Sequence, residues 1–181
     1  DYMAIATGGS TSPFGELTSG RNYLASAASS TRGLIAGGYS PTNAHHQIID
    51  YITIASTGNA QFFGRSGISA STVARHGLAG LNSDTRALFG GGSSPGIRSE
   101  IDYVTIATLG NTSNFGSLTL ARTYLAAASS GTRGVFAGGF YSPGPSVRNE
   151  IDYVTIATTG NAIDFGDLTV SRAWLAAAGN Y

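Results

Sequence analysis

The sequence contains no cysteine and no lysine. Without cysteine there is no disulfide framework, no thiolate nucleophile and no thiolate metal site. Without lysine, all ten cationic side chains are arginine, and ten acidic residues bring the formal net charge to zero. Such a chain is poorly suited to tracking a phosphate backbone, so nucleic acid is not an expected partner. Charged residues make up 11%, far below the usual quarter or so. No apolar run approaches the roughly 18 residues of a membrane-spanning helix, so membrane insertion is not expected either. The chain opens on Asp1 instead of methionine, which reads as processing or as a piece of something longer. What is abundant is glycine, at 26 residues, and a hydrophobic fraction of 41% rich in β-branched and aromatic side chains. That composition, over 181 residues, is enough for one folded domain and argues against disorder.

The dominant signal is internal repetition. "IDYVTIATTGN" at 151–161 recurs as "IDYVTIATLGN" at 101–111 and "IDYITIASTGN" at 49–59, with a worn copy, "DYMAIATGG", at the start. Its Asp falls at 1, 50, 102 and 152, a period of about 50. Three Phe-Gly pairs, at Phe14, Phe115 and Phe165, are followed seven residues later by Arg21, Arg122 and Arg172. The next Arg comes eleven residues on, at Arg32 after Arg21, Arg86 after Arg75 and Arg133 after Arg122. Five residues later stands a Gly-Gly pair, at Gly37, Gly91 and Gly138. Two spacings vary: the one from Gly-Gly to the Asp, and the stretch from Phe63 to Arg75, twelve residues instead of seven. Fixed spacing marks packed elements and variable spacing marks loops.

Each unit predicts four short strands, at 124–130, 133–139, 151–158 and 165–170 in the last full copy, separated by turn residues. The third is apolar on both faces, as in a sheet sandwiched between neighbours. The first is small and Ala-rich, suited to a crowded axial position. Four antiparallel strands per unit, stacked face to face, predict an all-β protein of the β-propeller type. A parallel β-solenoid is the rival, but its repeats are usually shorter. The predicted organisation is a single repeat domain over 1–181: strands three and four of a partial blade at 1–21, blades at 22–75, 76–122 and 123–172, and a first strand at 173–181.

The placement of Gly138-Gly139, Tyr153, Phe165 and Arg172 on these strands resembles the kelch repeat, with Phe14, Phe63, Phe115 and Phe165 where kelch repeats carry Trp. The resemblance implies a kelch-like propeller or part of one. The run "IDYVTIATTGNAIDFGDLT" (151–169) also resembles repeats in structural proteins of marine bacteriophages, which implies a virion or extracellular setting. The ends imply one of three arrangements: a portion of a longer propeller, favoured here; several chains completing one ring; or a small ring with a defective blade.

Among candidate functional residues, Arg32, Arg86 and Arg133 open second strands while Asp50, Asp102 and Asp152 open third strands. Recurrence in every unit favours structure: an Arg–carboxylate pair, or Arg on backbone carbonyls between blades. Arg21, Arg122 and Arg172 are each followed two residues later by Tyr23, Tyr124 and Trp174; Arg75 is followed instead by Gly77. Aromatic faces beside Arg donors suit a sugar or an acidic peptide, against the plainer reading that they plug a channel. The second-to-third loops differ in every unit and supply Tyr39, His45, His46, Arg98, Tyr141 and Arg148, with Glu100 and Glu150 as local ion-pair partners. Adjacent His45 and His46 diverge on an extended segment and have no third His close in sequence, so neither metal nor cofactor is expected. No Ser–His–Asp order stands out, and the copper chemistry of the kelch-type galactose oxidase needs a cysteine. The expectation is therefore a non-enzymatic module, a virion propeller such as a tail-fibre element, displaying loops to a cell-surface glycan or to other virion or protein subunits, and itself forming a homo-oligomer or part of a longer chain. A secreted carbohydrate-binding propeller is the alternative, and an enzyme with acid–base groups in a central cavity ranks third.

Overall fold

The computed structural model describes residues 1–4, 6–40, 42, 45–66, 74–142 and 146–179. Among these the protein is all-β. The first sheet holds β1 (Ala25–Ala28), β2 (Arg32–Ala36), β3 (Ile48–Thr53) and β4 (Gln61–Arg65); the second holds β5 (Ala79–Asn82), β6 (Arg86–Gly90), β7 (Glu100–Thr105) and β8 (Ser113–Ser117). The third begins with β9 (Ala126–Ser129) and β10 (Arg133–Ala137). A ribbon of β11 (Phe140–Tyr141) and β12 (Ser146–Val147) interrupts it, and β13 (Glu150–Thr155) and β14 (Ile163–Asp167) complete it. All three are antiparallel meanders in chain order. The segment that lengthens the Phe63–Arg75 spacing lies at 67–73, outside the described residues, as do parts of two variable loops.

The middle sheet is covered on both faces, as its apolar pattern requires. Ala87, Phe89, Val104 and Ile106 join Leu34, Ile49 and Phe63 in one core. Leu81, Leu88, Ile101 and Phe115 join Phe136, Val154 and Ile156 in the other. The small first strands lie side by side, with β5 between β1 and β9. A Cβ on Gly80 would run into the carbonyl of Ser26, so the Ala- and Gly-rich composition follows from backbone proximity.

The Phe-Gly pair has a physical explanation. In each sheet the register of strands three and four slips at the Phe: Ile101 pairs with Gly116 and Asp102 with Asn114, leaving Phe115 as the extra residue of a bulge. The same slip occurs at Phe63 and Phe165. Phe63 and Phe115 are 2% and 3% exposed, while Phe165, with no following sheet against it among the described residues, is 56% exposed. The glycine beside the Phe admits the next repeat. Gly58, Gly110 and Gly160 donate their N–H groups to the carbonyls of Phe14, Phe63 and Phe115 at 2.8, 3.1 and 2.8 Å. Their own carbonyls lie where a Cβ on Gly15, Gly64 or Gly116 would be. Asn59, Asn111 and Asn161 add a side-chain acceptor for Glu16, Arg65 and Ser117 N–H at 3.0, 3.0 and 3.1 Å. The repeated Gly-Asn pair is thus a docking turn.

The two arginine sets divide the roles left open by the sequence. Arg32 lies over the Tyr51 ring at 4.6 Å and donates to the Ile106 carbonyl of the next repeat at 2.7 Å. Arg86 lies over Tyr103 at 4.8 Å and donates to the carbonyls of Ile156 and Ala157. The repeated Asp belongs to the other set. Arg21 meets Asp50 at 2.9 Å and Arg122 meets Asp152 at 2.6 Å, all four side chains at 0% exposure, and Arg75 pairs with Asp102. Thr18 and Thr119 donate to the same Asp50 and Asp152 carboxylates through backbone and hydroxyl. Burial pushes the Asp102 carboxyl above its ordinary range, Arg75 pulls it back, and Glu100 adds to the rise. The fourth strand ends at Ser117 and Asp167, earlier than the predicted 165–170. After Ser117 the chain leaves the sheet so that Thr119 and Arg122 can reach across to the next one.

Candidate functional site

Four equivalent positions, one per repeat, carry Tyr23, Gly77, Tyr124 and Trp174. They are joined by a backbone ladder. Gly77 N–H donates to the Tyr23 carbonyl at 2.8 Å, Tyr124 N–H to the Gly77 carbonyl at 2.7 Å, and Trp174 N–H to the Tyr124 carbonyl at 2.9 Å. For N–H and C=O to run head to tail, each residue adopts a left-handed conformation. Tyr23, Tyr124 and Trp174 have φ of 53°, 55° and 55°, the only non-glycine positive values among the described residues, and Gly77 has 65°. A bulky aromatic residue held there is a backbone outlier costing on the order of 1–3 kcal/mol. Three outliers, all aromatic and all at one repeat position, mark this surface.

The rings gather into one patch. Tyr23 and Tyr124 meet edge to face with centroids 5.6 Å apart, and Tyr124 stacks on Trp174 at 5.1 Å. Phe140 flanks Trp174 at 6.3 Å. Tyr23 is 52% and Trp174 66% exposed, and Tyr124 between them is half-buried. Leu24, Leu78, Leu125 and Leu175 form the floor of a shallow cleft of about 240 Å³ among them. Gly77 opens the patch. A Cβ there would lie 2.5 Å from Thr123 Oγ1 and 2.9 Å from the Tyr124 ring, so the position cannot carry a fourth aromatic residue.

His76 occupies the opening and meets the loop of the first repeat. Its ring lies 5.5 Å from Tyr39, 6.1 Å from Tyr23, 6.0 Å from Tyr124 and 4.9 Å from His45. Tyr39 is held by reciprocal backbone hydrogen bonds with Asn22, both 2.9 Å. Burial, then the proximity of His45, lower the pKa of His76, opposed by its hydrogen bond at the Ser93 backbone. Burial, then Tyr23, raise that of Tyr124. The patch offers hydroxyl, imidazole and indole hydrogen-bonding groups.

Five of the twelve residues singled out in the sequence come together in ring contact, Tyr23, Tyr39, His45, Tyr124 and Trp174, while Arg172 is exposed and donates to the Val170 carbonyl. Arg21 and Arg122 are a correction. Their guanidinium groups are buried on Asp50 and Asp152, because these arginines bridge adjacent sheets, and they are not presented to a ligand. Arg98 donates to the Ser94 carbonyl and stands 3.9 Å from Glu100; Arg148 stands 3.7 Å from Glu150 and over the Tyr141 ring. These are the local pairs expected. His46 takes no part in the ring contacts found among the described residues. His76 was missed, since its distance in sequence from His45 gave no signal. A second groove, of about 380 Å³, is lined by small residues around Ser29, Asn82 and Ser129 together with Asp84. No protein-family model and no curated protein sequence matches the chain.

Proposed function

We propose that the protein is a non-enzymatic, propeller-type binding module whose aromatic patch takes a neutral glycan. The observation that carries this reading is the trio Tyr23, Tyr124 and Trp174, the outer two exposed and the middle one half-buried, all held in a costly backbone conformation at equivalent positions. Flat rings with polar edges match the apolar faces and hydroxyl rims of sugar rings. Among the described residues no arginine takes part in the ring contacts of the patch, which favours a neutral sugar over an acidic peptide. The propeller reading draws support from three four-stranded meanders of the same strand order with neighbouring first strands, together with the kelch-like sequence pattern. A virion location, as a fibre or surface element recognising a host glycan, rests on the phage-like repeat run alone.

Labelled protein on an array of neutral and acidic glycans is expected to bind neutral members, and Tyr124→Ala is expected to remove that binding while leaving the circular dichroism spectrum intact. Binding confined to acidic glycans, or unaffected by Tyr124→Ala, would overturn the assignment.

A further inference from the structure

One side-chain contact in the patch joins two repeats. Nδ1 of His45, from the variable loop of the first, lies 3.2 Å from Nδ1 of His76, from the second. Two nitrogens bound to one tetrahedral Zn²⁺ at about 2.0–2.1 Å stand roughly 3.3 Å apart. The ring centroids are 4.9 Å apart and the planes are inclined by 49°. The centroids are thus separated by less than the nitrogen distance plus both ring radii. The two rings therefore do not meet head to head along one hydrogen-bond line.

We infer that His45 and His76 form a two-imidazole site for a divalent transition metal, clamping the variable loop of the first repeat onto the second. Imidazole nitrogen suits zinc, copper and nickel, and no thiolate is present to compete. The rings are held in place before any metal arrives: His45 against Tyr39, and His76 against Tyr23, Tyr39 and Tyr124. The described residues contain no third His, Asp or Glu in the cluster, so the remaining coordination positions fall to water or to a ligand on the aromatic patch. That makes it an open site, of moderate affinity, and not a closed structural one. The inference stands whether or not the patch takes a sugar.

The test is calorimetric titration of the intact chain with Zn²⁺ alone, without sugar, at pH 7.4. One zinc per chain with micromolar affinity is expected. His45→Phe and His76→Phe, which keep an aromatic ring in each contact, are each expected to weaken it by at least the roughly tenfold that even losing an outer-shell partner costs. His46→Phe is expected to leave it unchanged. In the unmodified protein, the imidazole ¹⁵N spectrum should show zinc shifting Nδ1 of both His45 and His76, a readout that does not depend on any variant folding. No binding up to millimolar Zn²⁺ overturns the site, as do nitrogen shifts on only one of the pair or binding lost equally in His46→Phe, which would mean a loose site on the loop.

Discussion

Replacing Arg122 by methionine should cost about 3–5 kcal/mol of unfolding free energy, because it leaves the Asp152 carboxylate buried without its cation. Arg122 also holds the Gly138 and Glu150 carbonyls at 2.9 and 2.6 Å, and those acceptors lose a donor at the same time. The double variant Arg122→Met/Asp152→Leu should recover much of the loss, since an apolar pair of similar volume replaces a buried ion pair at little net cost. Arg172→Met, at the equivalent position of the last repeat but exposed, should change stability by no more than about 0.5 kcal/mol. Urea unfolding of the four proteins measures all three differences. A small effect for Arg122→Met would mean that the buried Arg–Asp tie is not what joins the sheets.

The second large effect is expected at Gly116. Alanine there places its Cβ on the carbonyl of Gly160, which is backbone and cannot rotate away. The third sheet must move off the second, and the bond from Gly160 N–H to the Phe115 carbonyl goes with it. A loss of about 3 kcal/mol follows from overpacking at a close contact. Gly160→Ala is the matched control: a Cβ there meets nothing within 4 Å, so stability should hold within about 1 kcal/mol. Equal tolerance at both positions in thermal or urea unfolding would show that the docking turn is not tightly seated.

Much of this architecture was legible because it is written repeatedly. The fixed spacing from Phe-Gly to Arg, and from Arg to Gly-Gly, outlined the meanders, and the two-faced apolar pattern of "IDYVTI" gave a strand covered on both sides. Which arginine meets the repeated Asp was not legible. Arg32 is nearer to Asp50 in sequence than Arg21 is, and only the crossing of the chain after the fourth strand decides that Arg21 reaches the carboxylate. That crossing also shortened the fourth strand relative to its apolar run. The aromatic patch was half legible. Its residues stood out by their place after each Arg, but their left-handed backbone did not, because Tyr and Trp rarely adopt it. Gly77 was the available signal: a glycine replacing Tyr, Tyr and Trp at one repeat position is what a positive φ requires. The His45–His76 contact had no signal at all, since it depends on a variable loop folding back on the next repeat.

The most direct test of the glycan assignment is fluorescence titration with neutral oligosaccharides, because Trp174 is the only tryptophan in the chain and sits in the patch. A saturable change in Trp174 emission at micromolar to millimolar sugar, absent in Tyr124→Ala, is the predicted result. No saturable response to any neutral sugar up to about 10 mM would contradict the account.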